Sequence, residues 1–431
     1  MKVQSWGALG RFEHQVTALF DRDQVAGHLP TPGLAHGLGR SYGDVALNPG
    51  GHLWLCAGLD RFIDFDPLLG RVRCEAGVSL DSLQRLFVPR GWMLPVTPGT
   101  RWVSVGGAIA NDVHGKNHHA RGSWGHHVLS LRLVRSSGEI LDLSPDLQPD
   151  LFFATLGGLG LTGVITEVEL QLMPVAGPWL DSETIAFHGL DEFFTLSTLS
   201  EATWEYSVAW IDCLSGQKVR GLFMRAKPCA EDFDEEGPQS SQTALQVPLT
   251  PPFSLVNAWS LRAFNELYFR KHANDGEARV HYQPFFYPLD HVGHWNRIYG
   301  RRGFYQYQSV IPTAHAEAAT AAMLTEIQRS GQGSFLAVLK MFGRMPSLGL
   351  LSFPMPGVTL ALDFPQRGAA TLRLFERRDA IVAGAGGRLY MGKDARMPAT
   401  LFQQGYPQWS LFQSLRDPGI SSAMSRRLMG S

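Results

Sequence analysis

Two short segments carry most of the candidate chemistry of this chain, and both combine glycine with polar side chains. The first glycine segment covers residues 36–44 (HGLGRSYGD), and the second covers residues 98–119 (PGTRWVSVGGAIANDVHGKNHH). Because glycine has no Cβ, its backbone N–H group can approach an anion closely. The GGAIA run predicts the start of a helix, which offers further free N–H groups. Together the segments fit a ligand with a pyrophosphate and a large flat ring better than a lone phosphate.

The first glycine segment is not a Rossmann fingerprint. Its spacing is G-x-G-x-x-x-G, and it is followed by ALNPGGHLWLC. A Rossmann motif would open a helix there and place an acid about 20 residues further on. Glycine-rich turns are mostly structural, so this segment gains weight only from the second segment of the same character.

Composition excludes one class of partner. The chain has 431 residues, with 38 Lys and Arg against 39 Asp and Glu. Nucleic acid is not expected as a partner, since phosphate neutralisation needs a basic surface. Its four cysteines lack C-x-x-C spacing, which is typical of ordinary buried or loop thiols in a reducing compartment. A disulfide between Cys56 and Cys74 is the disfavoured alternative.

Targeting signals are not visible in the sequence. The N-terminal residues have no long apolar region of the kind found in signal peptides. No run reaches the roughly 20 apolar residues that span a bilayer. We therefore expect a cytoplasmic protein without a signal peptide or a transmembrane helix, and peripheral contact with a membrane stays open.

Apolar periodicity predicts an α+β unit in the N-terminal part. Strands are expected at residues 53–56 and 71–77, followed by a helix that Ser79 caps and Pro89 stops. HVLSLRLV and EILDLS predict a hairpin, and GVITEVELQL alternates as a half-buried strand. DLFFATLGG predicts a short helix ending in glycine.

Longer motifs match one family of flavoenzymes. They are GLGRSYGD, PGTRxxxVGGAIAxDxHGKNHH, LFxATxGGxGLTG, WNRxYG with GFxQYQxVIP, LSFPxPG and GGRLYxxKDxR. The motifs keep the family's order from about residue 30 to the C-terminus. The chain thus resembles the decaprenylphosphoryl-β-D-ribose 2′-oxidase family, within the vanillyl-alcohol-oxidase superfamily.

The resemblance implies an α+β fold of two domains, of the vanillyl-alcohol-oxidase type. The FAD-binding domain would comprise residues 1–174 and be completed by residues 388–431. The substrate domain, residues 175–387, would hold an antiparallel sheet. Within it, residues 226–258 are rich in Pro, Ser and acid and have no hydrophobic period. We expect a flexible loop there that acts as a lid.

The resemblance also implies the residues of the site. Those expected to bind FAD are Gly37, Gly39, Arg40, Ser41, Tyr42, Gly43, Ala46, Pro98, Gly99, Thr100, Ser104, Gly106, Gly107, Asn111, Asp112, His114, Val164, Ile165 and Tyr390. Those expected to face the substrate or act in catalysis are Lys393, His114, Lys340, Gln308, Gln306 and Lys116. Lysines beside the flavin can stabilise negative charge on it, and glutamines can hold sugar hydroxyls. A metal is not expected at the HGKNHH run, because no second cluster of matching ligands accompanies it.

The chain departs from the family pattern at several positions. Some superfamily members tether flavin to a His in the first loop, where this chain has Arg40, so we expect non-covalent FAD. The other departures are Asn111, after GGAIA, and four positions on the implied pocket wall: Val208, Phe286, Thr359 and Ala361.

The resulting hypothesis is FAD-dependent oxidation of a sugar secondary alcohol. The favoured reaction takes C2′ of a polyprenylphosphoryl-β-D-ribose to the ketone, as half of an epimerisation to arabinose for cell-wall arabinan. A reductase of the short-chain dehydrogenase type would complete it. One alternative is an oxidase of a free alditol or aldonolactone. Another is a flavin-binding subunit with little turnover, although His114, the lysines and the glutamines would then have no purpose.

Overall fold

The computed structural model describes residues 1–27, 29–215, 219–231 and 245–430. The helices are α1 (Leu80–Phe87), α2 (Val105–Ala110), α3 (His118–Arg121), α4 (Pro149–Thr155), α5 (Leu190–Ser200), α6 (Ala258–His272), α7 (Tyr282–Phe286), α8 (Ala316–Ser330), α9 (Ala369–Gly384), α10 (Ala399–Gly405), α11 (Trp409–Leu415) and α12 (Ala423–Met429). The strands are β1 (Lys2–Gln4), β2 (Arg11–Glu13), β3 (Gln15–Ala18), β4 (Ala35–His36), β5 (His52–Leu55), β6 (Phe62–Asp66), β7 (Arg71–Glu75), β8 (Trp92–Met93), β9 (Val128–Val134), β10 (Ile140–Leu143), β11 (Val164–Gln171), β12 (Met173–Pro174), β13 (Trp179–His188), β14 (Tyr206–Ile211), β15 (Arg220–Pro228), β16 (Leu245–Gln246), β17 (Gly276–His281), β18 (Val292–Gly293), β19 (Phe304–Pro312), β20 (Ala337–Phe342), β21 (Gly357–Pro365) and β22 (Arg388–Leu389).

Local sequence sets the ends of α1 as predicted. The Ser79 hydroxyl oxygen accepts a hydrogen bond from the Ser82 N–H at 3.0 Å, which satisfies one of the free donors of the first turn. Pro89 lies in the 3-10 turn that follows the helix, and Gly91 turns the chain with φ 81°. The structure also confirms the other predicted elements of this region, namely α2, α4, β5, β7, β11 and the β9–β10 hairpin.

Three small sheets and one larger sheet build the N-terminal part. The larger one is five-stranded, in the order β10-β9-β11-β7-β6, and its described pairs are antiparallel. Strands β3, β5 and β4 form a parallel sheet. Strand β4 ends at His36, so the first glycine segment leaves the carboxyl end of this sheet. The second glycine segment contains α2, which contacts β11.

An eight-stranded antiparallel sheet dominates the rest of the described chain. Its order is β17-β13-β15-β14-β20-β21-β19-β22. The central strands are buried on both faces, and β14 is buried along its whole length. Helices α8 and α9 contact β19 on one face. The other face of β14, β20, β21 and β19 looks toward the glycine segments.

The C-terminal helices contact the N-terminal part. Arg427 pairs with Asp44, the last residue of the first glycine segment, at 2.8 Å. The Ser136 N–H donates to the Asp417 carboxylate at 2.7 Å. One hydrophobic cluster contains Trp54, residues of β19–β21 and Met424, so the core is continuous between the two units.

The structure corrects the predicted loop at residues 226–258 at both ends. Strand β15 continues to Pro228, and β16 resumes pairing at Leu245, parallel to β18. The Leu255 N–H donates to the Ile298 carbonyl at 2.9 Å. The middle of the expected lid, residues 232–244, lies outside the described residues.

Three further features bear on the predictions from sequence. All four cysteines are buried and free. Across the described ranges, no helix has the length and apolar character needed to cross a membrane. Nor do those ranges contain a group of three or more His, Cys, Asp or Glu side chains arranged to hold a metal ion.

Candidate active site

A cavity of ≈ 610 Å³ lies where the two glycine segments face the eight-stranded sheet. Every residue predicted for substrate or catalysis lines it. These are Lys393, His114, Lys340, Gln308, Gln306 and Lys116. Of the predicted FAD residues, the cavity is lined by Gly37, Gly39, Arg40, Ser41, Tyr42, Ala46, Pro98, Gly99, Thr100, Ser104, Gly106, Gly107, Asn111, His114, Ile165 and Tyr390.

Three predicted FAD residues stand behind the cavity wall instead. Gly43 packs on backbone, because an added Cβ would lie 1.6 Å from the Asp394 carbonyl oxygen. Val164 is buried in β11, where it pairs with Val134. Asp112 is fully buried and does not line the cavity.

The Asp112 carboxylate is a structural bridge. It accepts hydrogen bonds from the Ser123 hydroxyl at 2.8 Å, the Gly125 N–H at 2.8 Å and the Ser352 hydroxyl at 2.6 Å. These three partners belong to two separate parts of the chain. Asp112 therefore ties the end of the second glycine segment to the loop before β21, which corrects its expected contact with FAD.

The glycine segments approach one another as a cofactor cradle requires. Ser104 caps α2, and its side chain accepts from the Gly107 N–H at 3.3 Å. A Cβ on Gly37 would lie 2.5 Å from the Ser104 oxygen, so any larger residue would close this gap. Gly39 has φ +65°, the left-handed conformation that glycine adopts without strain. Gly106 differs, since its Cβ position faces Ala76 at 3.0 Å and its role is helix packing.

Two side chains at this cradle have a buried polar atom without a hydrogen-bond partner in the described structure. The Arg40 guanidinium lies over the Trp6 ring at 4.4 Å, and its Nε has no hydrogen-bond partner in the described structure. Asn111 donates to the Gly107 carbonyl at 2.9 Å, while its buried oxygen Oδ1 is likewise without a partner there. The cation and the free backbone N–H groups fit the phosphates of FAD, and the unpaired amide oxygen fits the polar edge of its ring.

Asp290 holds the second glycine segment against the substrate side of the cavity. Its carboxylate accepts from the Thr100 hydroxyl at 2.8 Å and from the Arg101 N–H at 2.9 Å. Asp290 also lines the cavity. Asp290 could not be predicted as a site residue from the sequence, because a single acid in a loop belongs to no motif whose spacing would indicate its partner.

Three lysines reach the cavity from three different elements. Lys116 follows α2 in the second glycine segment and donates to the carbonyls of Phe285 and Phe286. Lys340 is on β20 and donates to the Gly115 carbonyl at 3.1 Å. Lys393 follows β22, and its Nζ lies 4.0 Å from the centroid of the Tyr42 ring.

Burial brings the pKa values of these lysines toward neutrality. Desolvation, together with the charge of Lys340, lowers the pKa of Lys116 to about 7. Desolvation and the charge of Lys393 lower the pKa of Lys340 to about 8. The pKa of Lys393 is also lowered to about 8 by burial, against the opposing effect of Asp363. Near neutral pH the cavity can therefore hold positive charge and also exchange protons.

Two glutamines point from β19 to the same side of the sheet, because they are two residues apart. The Gln306 side-chain amide donates to the Asp363 carboxylate at 2.7 Å. The Gln308 amide nitrogen lies 3.2 Å from the Thr359 hydroxyl and 2.9 Å from His114 Nε2. Both glutamines are thus held in fixed orientations at the cavity wall.

His114 is neutral in this environment. Desolvation, with the charges of Lys340 and His118, holds its pKa well below the usual value. A neutral ring can accept the Gln308 amide hydrogen at Nε2, which leaves the proton on Nδ1. That Nδ1 atom is buried and has no partner in the described structure.

Asp363 is a second residue that the sequence analysis missed. It is fully buried on β21, and burial raises the pKa of its carboxyl to about 7. A signal was present in the sequence, since Asp363 is the one charged residue within the run LALDFP. A charge in an otherwise apolar strand must be paired or face a cavity.

The remaining histidines of the second glycine segment lie away from the cavity lining. His118 is buried against the Phe342 ring at 4.6 Å. His119 forms a hydrogen bond of 2.8 Å with the Trp204 carbonyl. Both therefore take part in packing between the two units.

Comparison with known proteins agrees with this geometry. Residues 24–144 match the FAD binding domain family. The chain is 38 % identical over 410 residues to the decaprenylphosphoryl-beta-D-ribose oxidase of Mycolicibacterium smegmatis, covering 92 % of this chain and 88 % of the relative. An uncharacterised protein of Streptomyces coelicolor is 30 % identical over 81 % of this chain and all of its own length.

A more distant likeness is limited to part of the chain. The L-gulono-1,4-lactone dehydrogenase of Mycobacterium tuberculosis is 34 % identical over 146 residues, or 33 % of this chain and 32 % of its own. The resemblance to the first relative, by contrast, covers both glycine segments and the large sheet. The chain is an FAD-dependent oxidoreductase acting on a CH–OH group of a sugar, and it belongs to the decaprenylphosphoryl-β-D-ribose oxidase family.

Proposed function

We propose that this protein oxidises the C2′ hydroxyl of a polyprenylphosphoryl-β-D-ribose to the ketone. The observation that carries the proposal is the group of three lysines, Lys116, Lys340 and Lys393, around one cavity with two oriented glutamines. In the described part of the chain, none of the three forms an ion pair with a carboxylate. An anionic sugar phosphate would supply the missing negative charge.

The residues divide the chemistry among them. Oxidation of an alcohol removes a hydride from carbon and a proton from oxygen, which leaves a ketone. FAD, when bound, supplies the hydride acceptor. With a pKa near 8, Lys393 is suited to hold or take the hydroxyl proton. Lys340 forms the polar wall that contacts phosphate or sugar, while Gln306 and Gln308 hold the remaining hydroxyls.

The cofactor would be held without a covalent bond. Arg40 occupies the position in the first glycine segment where tethering relatives have His, and its guanidinium cannot form that link. Acid precipitation should therefore release yellow FAD into the supernatant. Flavin that stays with the precipitated protein would contradict this assignment.

A partner enzyme follows from the chemistry of the product. The 2′-ketone can be returned to an alcohol of opposite configuration only by a hydride donor acting at the other face. The chemistry requires a separate reductase as the partner, and the family resemblance implies that this reductase is of the short-chain dehydrogenase type. The pair would convert a ribosyl to an arabinosyl lipid.

Anaerobic bleaching of the flavin tests the substrate directly. The FAD-loaded protein is mixed with polyprenylphosphoryl ribose, the matching arabinose lipid, free ribitol and free aldonolactones. Of these compounds, only the ribose lipid is expected to bleach the flavin rapidly. Faster bleaching by a free polyol or lactone would overturn the lipid-sugar assignment in favour of the free-sugar oxidase. Adding the reductase and its nicotinamide cofactor to the first reaction should yield the arabinose lipid.

A further inference from the structure

Seven large apolar side chains are exposed between residues 245 and 267. Phe264 packs edge-on against the Phe335 ring, and we call the other six the docking face. They are Leu245, Leu249, Phe253, Leu255, Trp259 and Leu267. Trp259 is 83 % exposed and Leu267 is 70 % exposed. Single exposed apolar residues are ordinary on a protein surface, whereas a contiguous group marks a site of interaction.

Helix α6 presents the second half of the docking face on a firm support. Its inward stripe consists of Leu261, Asn265 and Phe269. Asn265 is fully buried and donates to the Asp212 carboxylate at 2.7 Å. Trp259 and Leu267 are eight residues apart, so they share the outward side of the helix. The exposed apolar stripe is therefore fixed in place.

Cations surround the docking face. Exposed basic side chains of α6 are Arg262, Arg270 and Lys271, and Arg301 and Arg302 are exposed nearby. The latter two directly follow Gly300, whose Cβ position lies 2.6 Å from the Phe253 carbonyl carbon. The acid within α6, Glu266, already pairs with Arg220 at 2.7 Å and with Arg270. Aromatic and aliphatic groups ringed by basic ones are typical of helices that lie on anionic bilayers.

The docking face begins at the wall of the cavity. Leu245 and Gln246 form β16, which pairs with Val292 and Gly293 of β18. Of these residues, Gln246, Val292 and Gly293 line the cavity. The next turn is held by Arg297, which donates to the carbonyls of residues 247 and 248 at 3.0 and 2.9 Å. A surface bound to the docking face would lie beside the entrance used by the sugar.

We propose that the docking face binds the surface of an anionic lipid bilayer and presents the cavity to it. The proposal rests on the proposed function, since a sugar on a polyprenyl phosphate is anchored in lipid by its tail. Trp259 and Leu267 enter the headgroup region, and the basic side chains of α6 contact anionic headgroups. The sugar then reaches the lysines while its tail stays in the membrane.

Co-sedimentation with vesicles tests the apolar part of the face. The FAD-loaded full chain is mixed with vesicles of phosphatidylcholine and phosphatidylglycerol, or of phosphatidylcholine alone. The double variant Trp259→Glu/Leu267→Glu should bind the mixed vesicles about tenfold or more weakly, since two apolar side chains that would be buried in the bilayer are lost. The matched control Leu68→Glu/Leu199→Glu changes two exposed leucines outside the face and should bind like the parent protein.

A charge variant tests the basic part. Arg262→Glu/Lys271→Glu should weaken binding to the mixed vesicles by roughly fivefold for each cation removed, and more at low salt. Its binding to phosphatidylcholine alone should change little. Equal binding of the parent protein to both kinds of vesicle would contradict a role for these cations.

Activity measurements separate this proposal from the proposed function. The Trp259→Glu/Leu267→Glu variant should lose turnover of a long-chain ribose lipid in vesicles and keep turnover of a water-soluble short-chain analogue. If neither lipid is oxidised by the parent protein, the proposed function fails, while the vesicle measurements still decide the docking face. Absence of vesicle binding by the parent protein, or unchanged binding by this variant, would overturn the proposal. A change from dimer to monomer in the variant without a change in vesicle binding would instead assign the face to a second copy of the chain.

Discussion

At the scale of single residues, the cavity depends on lysines whose direct contacts are carbonyls and a ring rather than carboxylates. Lys340 reaches the Gly115 carbonyl and Lys393 lies over Tyr42. Such groups are desolvated without full compensation, which is why their pKa values fall. Ionisable groups with perturbed pKa values in a cavity are typical of catalytic sites, and their effects on rate and on pH dependence can be measured.

Replacing Lys393 should separate binding of FAD from chemistry. Lys393→Ala should keep its FAD, because the cradle is formed by the glycine segments, and should reduce the flavin about a hundredfold or more slowly. Stopped-flow flavin bleaching under saturating substrate measures this. The exposed Lys2→Ala serves as control and should react at the parent rate. Reduction of Lys393→Ala at that same rate would refute the assignment.

The pH dependence should report Lys340. Below about pH 8 its ammonium is charged and attracts the substrate phosphate, so the affinity for the substrate should fall as pH rises through that value. Lys340→Arg keeps its charge at higher pH and should retain substrate affinity there. The exposed variant Lys227→Arg should follow the parent profile. Coincident profiles for the parent and Lys340→Arg would show that Lys340 does not contact the phosphate.

Residue types revealed the cavity from sequence, but not the direction in which each side chain points. Glycines and lysines in the motifs were predicted to face a ligand, and most do. Gly43 and Asp112 belong to these motifs and Val164 directly follows one of them, yet all three support the wall from behind. A Cβ added to a glycine meets atoms from distant parts of the chain, as at Gly106, where it would face Ala76. The sequence around the glycine therefore does not show which atoms these are.

At the scale of elements, local patterns predicted the N-terminal helices and strands well. Caps and alternation act within a few residues, so α1 and β11 follow from their own sequence. The register of strand pairing in the large sheet does not follow from local sequence. Gln306 stands opposite Asp363, and Lys340 opposite Thr359. The first pairing joins β19 to β21 across the intervening α8 and β20, so local sequence does not set it. A shift of one residue in either pairing would turn every side chain away from the cavity.

The bridge at Asp112 should contribute mainly to stability. Asp112→Ala leaves a buried N–H and two hydroxyls without their acceptor, which should lower the free energy of unfolding by about 3 kcal/mol or more. Denaturant unfolding of the FAD-free protein measures this, with Asp142→Ala, an exposed strand position, as control. A variant that unfolds like the parent protein and fails only to bind FAD would restore the cofactor role expected from sequence.

At the scale of the whole molecule, the two units share one hydrophobic core. The cluster that holds Trp54 also contains Leu362 of β21 and Met424 of α12. Calorimetry of the FAD-free protein should therefore show a single unfolding transition. Two transitions separated in temperature, with only the lower one moved by FAD, would mean that the units are independent.

The contact between Gly43 and the Asp394 carbonyl has a consequence for how such enzymes diverge. It joins the cofactor cradle to the segment that carries Lys393, so neither can drift without the other. Val208 of β14 and Ala361 of β21 also line the cavity, at two positions where the resemblance implies a departure from the family pattern. Substitutions there can reshape the space for the sugar while flavin and lysine stay in place. Selection for a new substrate is thus directed to two strands of the sheet, and the redox half of the enzyme is inherited intact.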